Sequence, residues 1–253
     1  MTTEITPAAL AAPGIACAAM VAAANAAEIK VISTGAFKPA LGELAPAFEK
    51  SSGHKVAAIW AGTDEIIRRL GAGETLDIVI APAPWIDDLT KRGLLVAGSR
   101  VDVAKSGIGV AVPAAAPPID IGSGDALRSA LLGAKSIALS TGVSGIYLTA
   151  LFAKWEIGDR IGSKIIRLPG AGPVADAMAH GEAEIGFLQV SELLGVEGVT
   201  LLGPLPADIQ ETTAISAGLA KAASAGEAAA ALVKFLASPA TAPVKRKTGL
   251  EPG

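Results

Sequence analysis

Cysteine is nearly absent from this chain of 253 residues, and its single copy, Cys17, lies in an alanine-rich leader. If the leader is removed after Ala26, the remaining chain has no cysteine at all. That excludes disulfide bonds, a thiol nucleophile and a cysteine-ligated metal, and it is compatible with an oxidising compartment. Aromatic residues are also few, at 4% against 51% hydrophobic residues, so we expect a large core built mainly from aliphatic side chains.

Histidine is almost as scarce, because the chain has only His54 and His180. A histidine-based catalytic triad therefore lacks candidates, and Ser144 stands in Gly-Val-Ser-Gly rather than in the Gly-x-Ser-x-Gly of a nucleophile elbow. His180 opens the sequence His-Gly-Glu-Ala-Glu at the predicted end of a helix, which is typical of a C-terminal cap and turn. We expect no metal site.

The chain has no excess of positive charge, since 21 Lys and Arg stand against 24 Asp and Glu. This balance gives no sign of a nucleic-acid-binding surface. A loose Gly-x-Gly-x-x-Ala pattern begins at Gly170, but it contains Pro173 and does not open a Rossmann-type domain. We therefore expect no nucleotide and no other cofactor.

The first 26 residues contain no Lys or Arg, and their only charged residue is Glu4. Even so, an apolar stretch, the small-x-small sequence at 24–26 and a strand-like segment from Ile29 form the layout of a secretory signal peptide. We expect residues 1–26 to be a signal peptide and the protein to be periplasmic, with a disordered alanine-rich leader as the alternative. A membrane anchor is disfavoured, because prolines interrupt the ~20 apolar residues that a span requires.

From Ile29 onward, short apolar segments alternate with segments of helical spacing. Residues 76–81, for example, are almost wholly apolar, as expected of a buried parallel strand, and residues 85–92 after them have a helical pattern. A further strand is predicted at 107–112. Strands that alternate with helices predict an α/β fold with mostly parallel sheets covered by helices. We predict two lobes, formed by residues 27–106 with 209–253 and by residues 107–208.

Four turns between a predicted strand and the next helix are rich in glycine and hydroxyl residues. Such turns lie at the carboxyl ends of the strands, where open α/β sheets bind ligands and where helix N-termini favour anions. One such turn alone is ordinary helix capping. Two in each lobe could face each other across a cleft and hold an anion with N–H groups and hydroxyls. The turns are 33–36, 61–63, 140–145 and 169–173.

Further segments with a common pattern lie at 72–79, 144–147, 185–187, 236–239 and 249–250. In order and spacing, these segments and the four turns resemble the periplasmic molybdate-binding proteins of ABC importers, which have the type II solute-binding fold. The resemblance implies two α/β lobes joined by a two-stranded hinge and closing on a ligand. It also implies a partner, an ABC permease in the inner membrane that receives the ligand.

The resemblance implies ligand contacts at Thr34, Gly35, Ala36, Gly62, Thr63, Ser144, Gly145, Val174 and Gln189. Two positions depart from the molybdate binders, because Ala36 replaces a serine and Gln189 replaces a tyrosine. A small tetrahedral oxyanion depends on such hydroxyl donors, since its buried charge must be fully hydrogen-bonded. Gln189 offers a donor and an acceptor, which suits a carboxylate. We therefore expect an organic anion, with molybdate or tungstate as the competing ligand.

The same branch of the fold is similar to aconitate isomerase, which moves a double bond in a tricarboxylate by transferring a proton. That chemistry needs a general acid and base in the cleft. The sequence offers Lys38, Asp64, Ser144 and Tyr147 without singling one out, and Lys38 is equally well interpreted as a solvated surface residue. We expect a monomeric periplasmic receptor for a small anion, and the alternative is an isomerase that uses the same cleft.

Overall fold

The computed structural model describes residues 26–253, so Cys17 and the predicted signal peptide up to residue 25 lie outside the described part. The strands are β1 (Glu28–Ser33), β2 (Lys55–Trp60), β3 (Ile78–Pro82), β4 (Val101–Pro113), β5 (Ile137–Ser140), β6 (Ile165–Leu168), β7 (Ile185–Gln189), β8 (Val199–Pro204), β9 (Thr212–Leu219) and β10 (Glu251–Pro252). The α-helices are α1 (Lys38–Ser52), α2 (Thr63–Gly71), α3 (Ala83–Lys91), α4 (Gly124–Gly133), α5 (Val143–Lys154), α6 (Gly158–Ile161), α7 (Ala171–Ala179), α8 (Val190–Leu193), α9 (Gly226–Ala237) and α10 (Ala242–Lys247). Short 3-10 helices lie at Gly35–Phe37, Gly162–Lys164 and Pro239–Thr241.

The sheet of the first lobe has the strand order β2-β1-β3-β9-β4, and β10 also pairs with β4. β1 runs parallel to β2 and β3, whereas β9 runs antiparallel to both of its neighbours. Successive side chains of a strand point to opposite faces. Val31 accordingly packs with residues of α1 and α9, while Ile32 packs with residues of α2 and α3. Both faces of this sheet are therefore covered by helices.

The sheet of the second lobe continues from β4 in the order β4-β7-β5-β6, with β8 paired to β4. β5 is parallel to β6 and β7, and β4 is antiparallel to β7. Leu139 packs among residues of α4 and α5, while its neighbour Ala138 packs among residues of α7. This sheet too is buried on both faces, which explains the apolar character of its strands.

One long strand connects the two sheets. β4 pairs with β9 as far as Gly107, and from Ile108 onward it pairs with β7 and β8. The chain returns between β8 and β9, where the Gln210 amide accepts from the Ile108 N–H at 2.9 Å and donates to the Ile108 carbonyl at 3.0 Å. The predicted two-lobed α/β fold with a two-stranded hinge is confirmed. The exact residue boundaries of the lobes stay a prediction.

A buried carboxylate joins the start of β3 to the loop before α9. Asp77 is fully buried, and its oxygens accept from the backbone N–H groups of Lys30 at 2.8 Å, Ser224 at 2.7 Å and Ala225 at 2.9 Å. Carboxylate oxygens can accept several hydrogen bonds each. Asp77 therefore satisfies backbone donors from two distant parts of the first lobe.

Two features differ from the sequence interpretation. The strand predicted at 107–112 begins six residues earlier, at Val101, and the four-residue helix α8 was not predicted. In residues 26–253, no helix is long and apolar enough to cross a membrane.

Candidate functional site

A cleft of ≈ 850 Å³ lies between the two lobes, and all four predicted turns contribute to its walls. Thr34 and Gly62, from the turns of the first lobe, line the cleft on one side. Ser144 and Gly170, from the turns of the second lobe, line it on the other. A cavity of this size lies within the ~300–1,000 Å³ that small-molecule sites commonly have. The structure therefore brings the glycine- and hydroxyl-rich turns to one place, as expected for strands whose carboxyl ends face a common opening.

Most of the residues for which we expected ligand contacts line this cleft: Thr34, Gly35, Ala36, Gly62, Thr63, Ser144 and Gln189. Two do not. Val174 is fully buried against the second sheet, and Gly145 packs against the end of β5. Contact of any of these residues with a ligand stays a prediction.

Gly145 brings the first turn of α5 unusually close to β5. A Cβ atom added at Gly145 would stand 1.8 Å from the carbonyl oxygen of Ser140. Because that oxygen belongs to the backbone, no side-chain rotation could make room for it. Glycine at this position therefore allows the helix to begin directly beside the strand end.

The turn after β1 contains a buried hydroxyl without a partner. Thr34 precedes the short helix at Gly35–Phe37, but its side chain makes no capping hydrogen bond. Within residues 26–253, the Thr34 Oγ1 atom is buried and has no hydrogen-bond partner, although Thr34 lines the cleft. An unpaired buried polar group costs roughly 1–3 kcal/mol. A ligand oxygen in the cleft would remove that cost.

In the second lobe, the turn after β5 presents a pair of hydroxyls and a helix N-terminus. Ser140 Oγ lies 3.2 Å from Ser144 Oγ and accepts from the Gly142 N–H at 3.3 Å. Gly142, Val143 and Ser144 all line the cleft at the start of α5. The first N–H groups of a helix have no partner inside it and carry the positive end of the helix dipole. This turn therefore favours an anion.

Gln189 lies where the two sheets meet. It ends β7, is only 4% exposed and lines the cleft. With its amide oxygen accepting from the Thr213 hydroxyl at 3.2 Å, its amide nitrogen donates to the Ser106 carbonyl at 3.1 Å. The side chain therefore bonds to both crossing strands, β4 and β9, besides facing the cleft.

The helix α8 brings a carboxyl group into the cleft that the sequence interpretation missed. One Glu192 oxygen accepts from the Gln189 N–H at 3.1 Å, and the other lies 2.7 Å from where a Cβ atom on Gly35 would stand. Glu192 is half-buried and lines the cleft. Burial raises the pKa of its carboxyl to about 7, against the opposing effect of the Gln189 hydrogen bond. Glu192 can therefore gain and lose a proton near neutral pH.

Residues of α8 also bind the first lobe directly. Ser191 Oγ donates to the Ala36 carbonyl at 2.8 Å, and the backbone of Ser191 lies against Gly249. The second lobe is therefore held against the first lobe close to the crossing strands.

The other acid–base candidates occupy different settings. Lys38 Nζ lies 5.9 Å from the centre of the Trp60 ring, in the range of a cation–π contact, and Asp64 lines the cleft from α2. The Tyr147 hydroxyl donates to the Ile209 carbonyl at 2.7 Å, outside the cleft lining, and burial raises the pKa of this phenol. In the described part of the chain, no group of three or more His, Cys, Asp or Glu is placed to hold a metal ion.

Comparison with known proteins gives a family and relatives that match nearly the whole of the described chain. The family described as bacterial extracellular solute-binding protein matches residues 29–251. The aconitate isomerase of a Pseudomonas species is 35% identical over 239 residues, which cover 92% of this chain and 91% of that protein. The molybdate-binding protein ModA of Azotobacter vinelandii is 28% identical over 236 residues, which cover 90% of this chain and 91% of that protein. A solved structure of the Azotobacter vinelandii periplasmic molybdate-binding protein superposes with a TM-score of 0.75 at 19% identity, covering 88% of this chain and 98% of that one.

Proposed function

This chain belongs to the family of bacterial extracellular solute-binding proteins, as the resemblance implied, and on that premise we propose that it binds a tricarboxylate in its interlobe cleft and isomerises it. The observation that carries the proposal is the buried Thr34 hydroxyl, which has no hydrogen-bond partner within residues 26–253 and belongs to a residue that lines the cleft, whose opposite wall presents the N-terminus of α5. Donors on both walls suit a ligand with more than one carboxylate. The 35% identity to an aconitate isomerase supports the choice of reaction.

The cleft favours an organic anion over a small tetrahedral oxyanion. Neither Ala36 nor Gln189 brings a hydroxyl to the cleft, and the Gln189 amide is engaged by the hinge strands. The cavity of ≈ 850 Å³ also has apolar walls that include Trp60 and Trp85. Lys38 is a cation on the same wall and suits a second or third carboxylate. A propene tricarboxylate combines these needs, because its carboxylates surround a flat apolar centre.

The proposed activity is tested by incubating the protein with cis- or trans-aconitate and following both isomers by NMR. We expect either isomer to be converted towards the same final ratio. Absence of turnover with both substrates, in a protein that remains folded and binds one of them, would refute the isomerase.

A receptor without catalysis is the second candidate, favoured by the two-lobed fold with its two-stranded hinge. In that case the protein is a periplasmic monomer that delivers an anion to an ABC permease. Thermal unfolding with molybdate, tungstate, sulfate and a set of carboxylates separates the ligand classes, because a ligand at 100 times its Kd adds about 2.7 kcal/mol of stability. Stabilisation by a carboxylate without turnover would favour the receptor, and stabilisation by molybdate alone would exclude the organic anion.

Thr34→Val tests directly whether the Thr34 hydroxyl binds a ligand carboxylate. We expect the affinity for trans-aconitate to fall roughly tenfold or more, because a hydrogen bond to a charged group contributes about 1.5–3 kcal/mol. The stability of the empty protein should not fall, since the Thr34 hydroxyl has no partner in residues 26–253. Isothermal titration calorimetry and thermal unfolding measure the two effects. Thr200→Val, at an exposed position of β8, is the matched control. Unchanged affinity in Thr34→Val would place the carboxylate elsewhere in the cleft.

A further inference from the structure

We propose that Glu192 is the catalytic residue that removes a proton from the bound tricarboxylate and returns it to another carbon. This assignment rests on the proposed isomerase function and names the group that carries out its central step. The sequence interpretation offered four candidates for acid–base chemistry and did not include Glu192.

The position of Glu192 supports the assignment. One carboxyl oxygen is held by the Gln189 N–H at 3.1 Å, which fixes the orientation of the group. The other oxygen points to Gly35, so close that a Cβ atom there would stand 2.7 Å away. Gly35 follows Thr34, which lines the cleft and whose hydroxyl has no partner in the described part of the chain. The carboxyl group is therefore next to the place where a ligand carboxylate is expected.

The surroundings of Glu192 bring the pKa of its carboxyl into the range that proton transfer at neutral pH needs. Burial raises the pKa of its carboxyl to about 7, and a group whose pKa lies near the working pH is present in both the accepting and the donating form. The other charged residues that line the cleft come from α1, α2 and α7, and they are Lys38, Asp64, Glu65, Arg68 and Asp176. Arg68 is paired with Glu65 at 2.6 Å, and the pKa of Glu192 follows from burial, opposed by the Gln189 hydrogen bond.

The reaction balances without any co-reactant. The Glu192 carboxylate takes a proton from the methylene carbon of the substrate, so one C–H bond breaks and its electron pair forms a new double bond to the central carbon. The Glu192 carboxylic acid then gives this proton to the carbon at the other end of the old double bond. The electron pair of that double bond forms the new C–H bond there. One C–H bond is lost and one is gained, the double bond has moved, and Glu192 is again a carboxylate. Nothing is oxidised or reduced.

Glu192→Gln tests the assignment, because the amide oxygen can still accept from the Gln189 N–H but the amide cannot carry a proton at neutral pH. We expect kcat to fall by roughly 100-fold or more, as is usual when a general acid–base group is lost. Affinity for trans-aconitate should change only a few-fold. In D₂O, the wild type should exchange the methylene protons of the substrate and the variant should not. Glu197→Gln, an exposed position five residues away, is the matched control with unchanged kcat.

The pH profile adds a readout that a structural role would not change. The base must be ionised to accept a proton, so kcat/KM of the wild type should rise as pH increases through about 7 and then level off. Glu192→Asp, which keeps a carboxyl group, should retain that rise at a lower rate, whereas the residual activity of Glu192→Gln should lack it.

The outcomes are distinguishable. If the wild type turns over and Glu192→Gln keeps kcat and deuterium exchange within about threefold, the assignment is wrong and the isomerase stands. If the wild type binds trans-aconitate but neither converts it nor exchanges its protons, the isomerase function itself is refuted. If Glu192→Gln does not fold, Glu192→Asp provides the test instead. A folded Glu192→Asp variant whose kcat/KM does not rise with pH through about 7 also overturns the assignment.

Discussion

Gly145→Ala is expected to lower the free energy of unfolding by about 3 kcal/mol or more, the upper range for an added group in a closely packed site. The new Cβ atom would stand 1.8 Å from the Ser140 carbonyl oxygen, which is less than any non-bonded contact allows. Relief requires that α5 and the end of β5 move apart. That movement would also displace Ser144 and Gly142 from the cleft wall. Urea denaturation followed by circular dichroism measures the loss of stability.

Gly133→Ala provides the matched control. Gly133 is the last residue of α4, and an added Cβ atom there meets nothing within 4 Å. Alanine in a helix is favoured over glycine by roughly 0.5–1 kcal/mol, so this variant should be as stable as the wild type or slightly more stable. If Gly145→Ala were equally stable, the close approach of α5 to β5 would be wrong.

Asp77→Ala is the second change with a large expected effect, again a loss of about 3 kcal/mol or more in the free energy of unfolding. The substitution leaves the N–H groups of Lys30, Ser224 and Ala225 without their acceptor. The three hydrogen bonds are partly buried, and a donor that loses its partner away from water costs roughly 1–3 kcal/mol. Because Ala225 directly precedes α9, we expect the packing of α9 on the first sheet to loosen. Hydrogen exchange of α9 amides should therefore become faster.

Asp77→Asn distinguishes the loss of the hydrogen-bond acceptors from the loss of the negative charge. The amide keeps one oxygen as an acceptor but turns the other into a donor, which would face an N–H group, so an intermediate loss is expected. Asp159→Ala, at an exposed position of α6, should change stability by less than about 0.5 kcal/mol. A similar result for Asp77→Ala and Asp159→Ala would contradict the role given to the buried carboxylate.

The overall fold could be predicted from the sequence because its signals are local. A strand such as β3 is continuously apolar, and the next helix follows directly at Ala83. The first half of β4 was missed because Asp102 and Lys105 interrupt its apolar pattern and are exposed, while Val103 and Ala104 are buried. Pairing with β9 makes this segment a strand, and such a partner more than 100 residues away leaves no local pattern.

The candidate site also has a part that the sequence predicts and a part that it does not. The turn at Thr34 and the turn at Ser144 could be located because strand-to-helix turns of an α/β fold meet at one edge. Glu192 could not, since in the sequence it is an ordinary capping residue after a strand. Its pKa is raised by burial, and its carboxyl lies beside Gly35 of the opposite lobe, a contact that leaves no local pattern in the sequence. Tyr147 lies outside the cleft lining, with its hydroxyl bonded to the Ile209 carbonyl, and its role in proton transfer stays a prediction.

The bond between Ser191 and Ala36 lies beside the crossing strands, close to any axis about which the lobes can rotate. Displacement in a rotation grows with distance from the axis, so Glu192 and Gly35 should keep their spacing while the outer parts of the cleft separate. Glu192, the proposed proton-transfer group, and the turn at Thr34 and Gly35 are thus already positioned before a solute arrives. Closure of the lobes would then mainly exclude water, and little reorganisation energy would be spent on assembling the reactive centre.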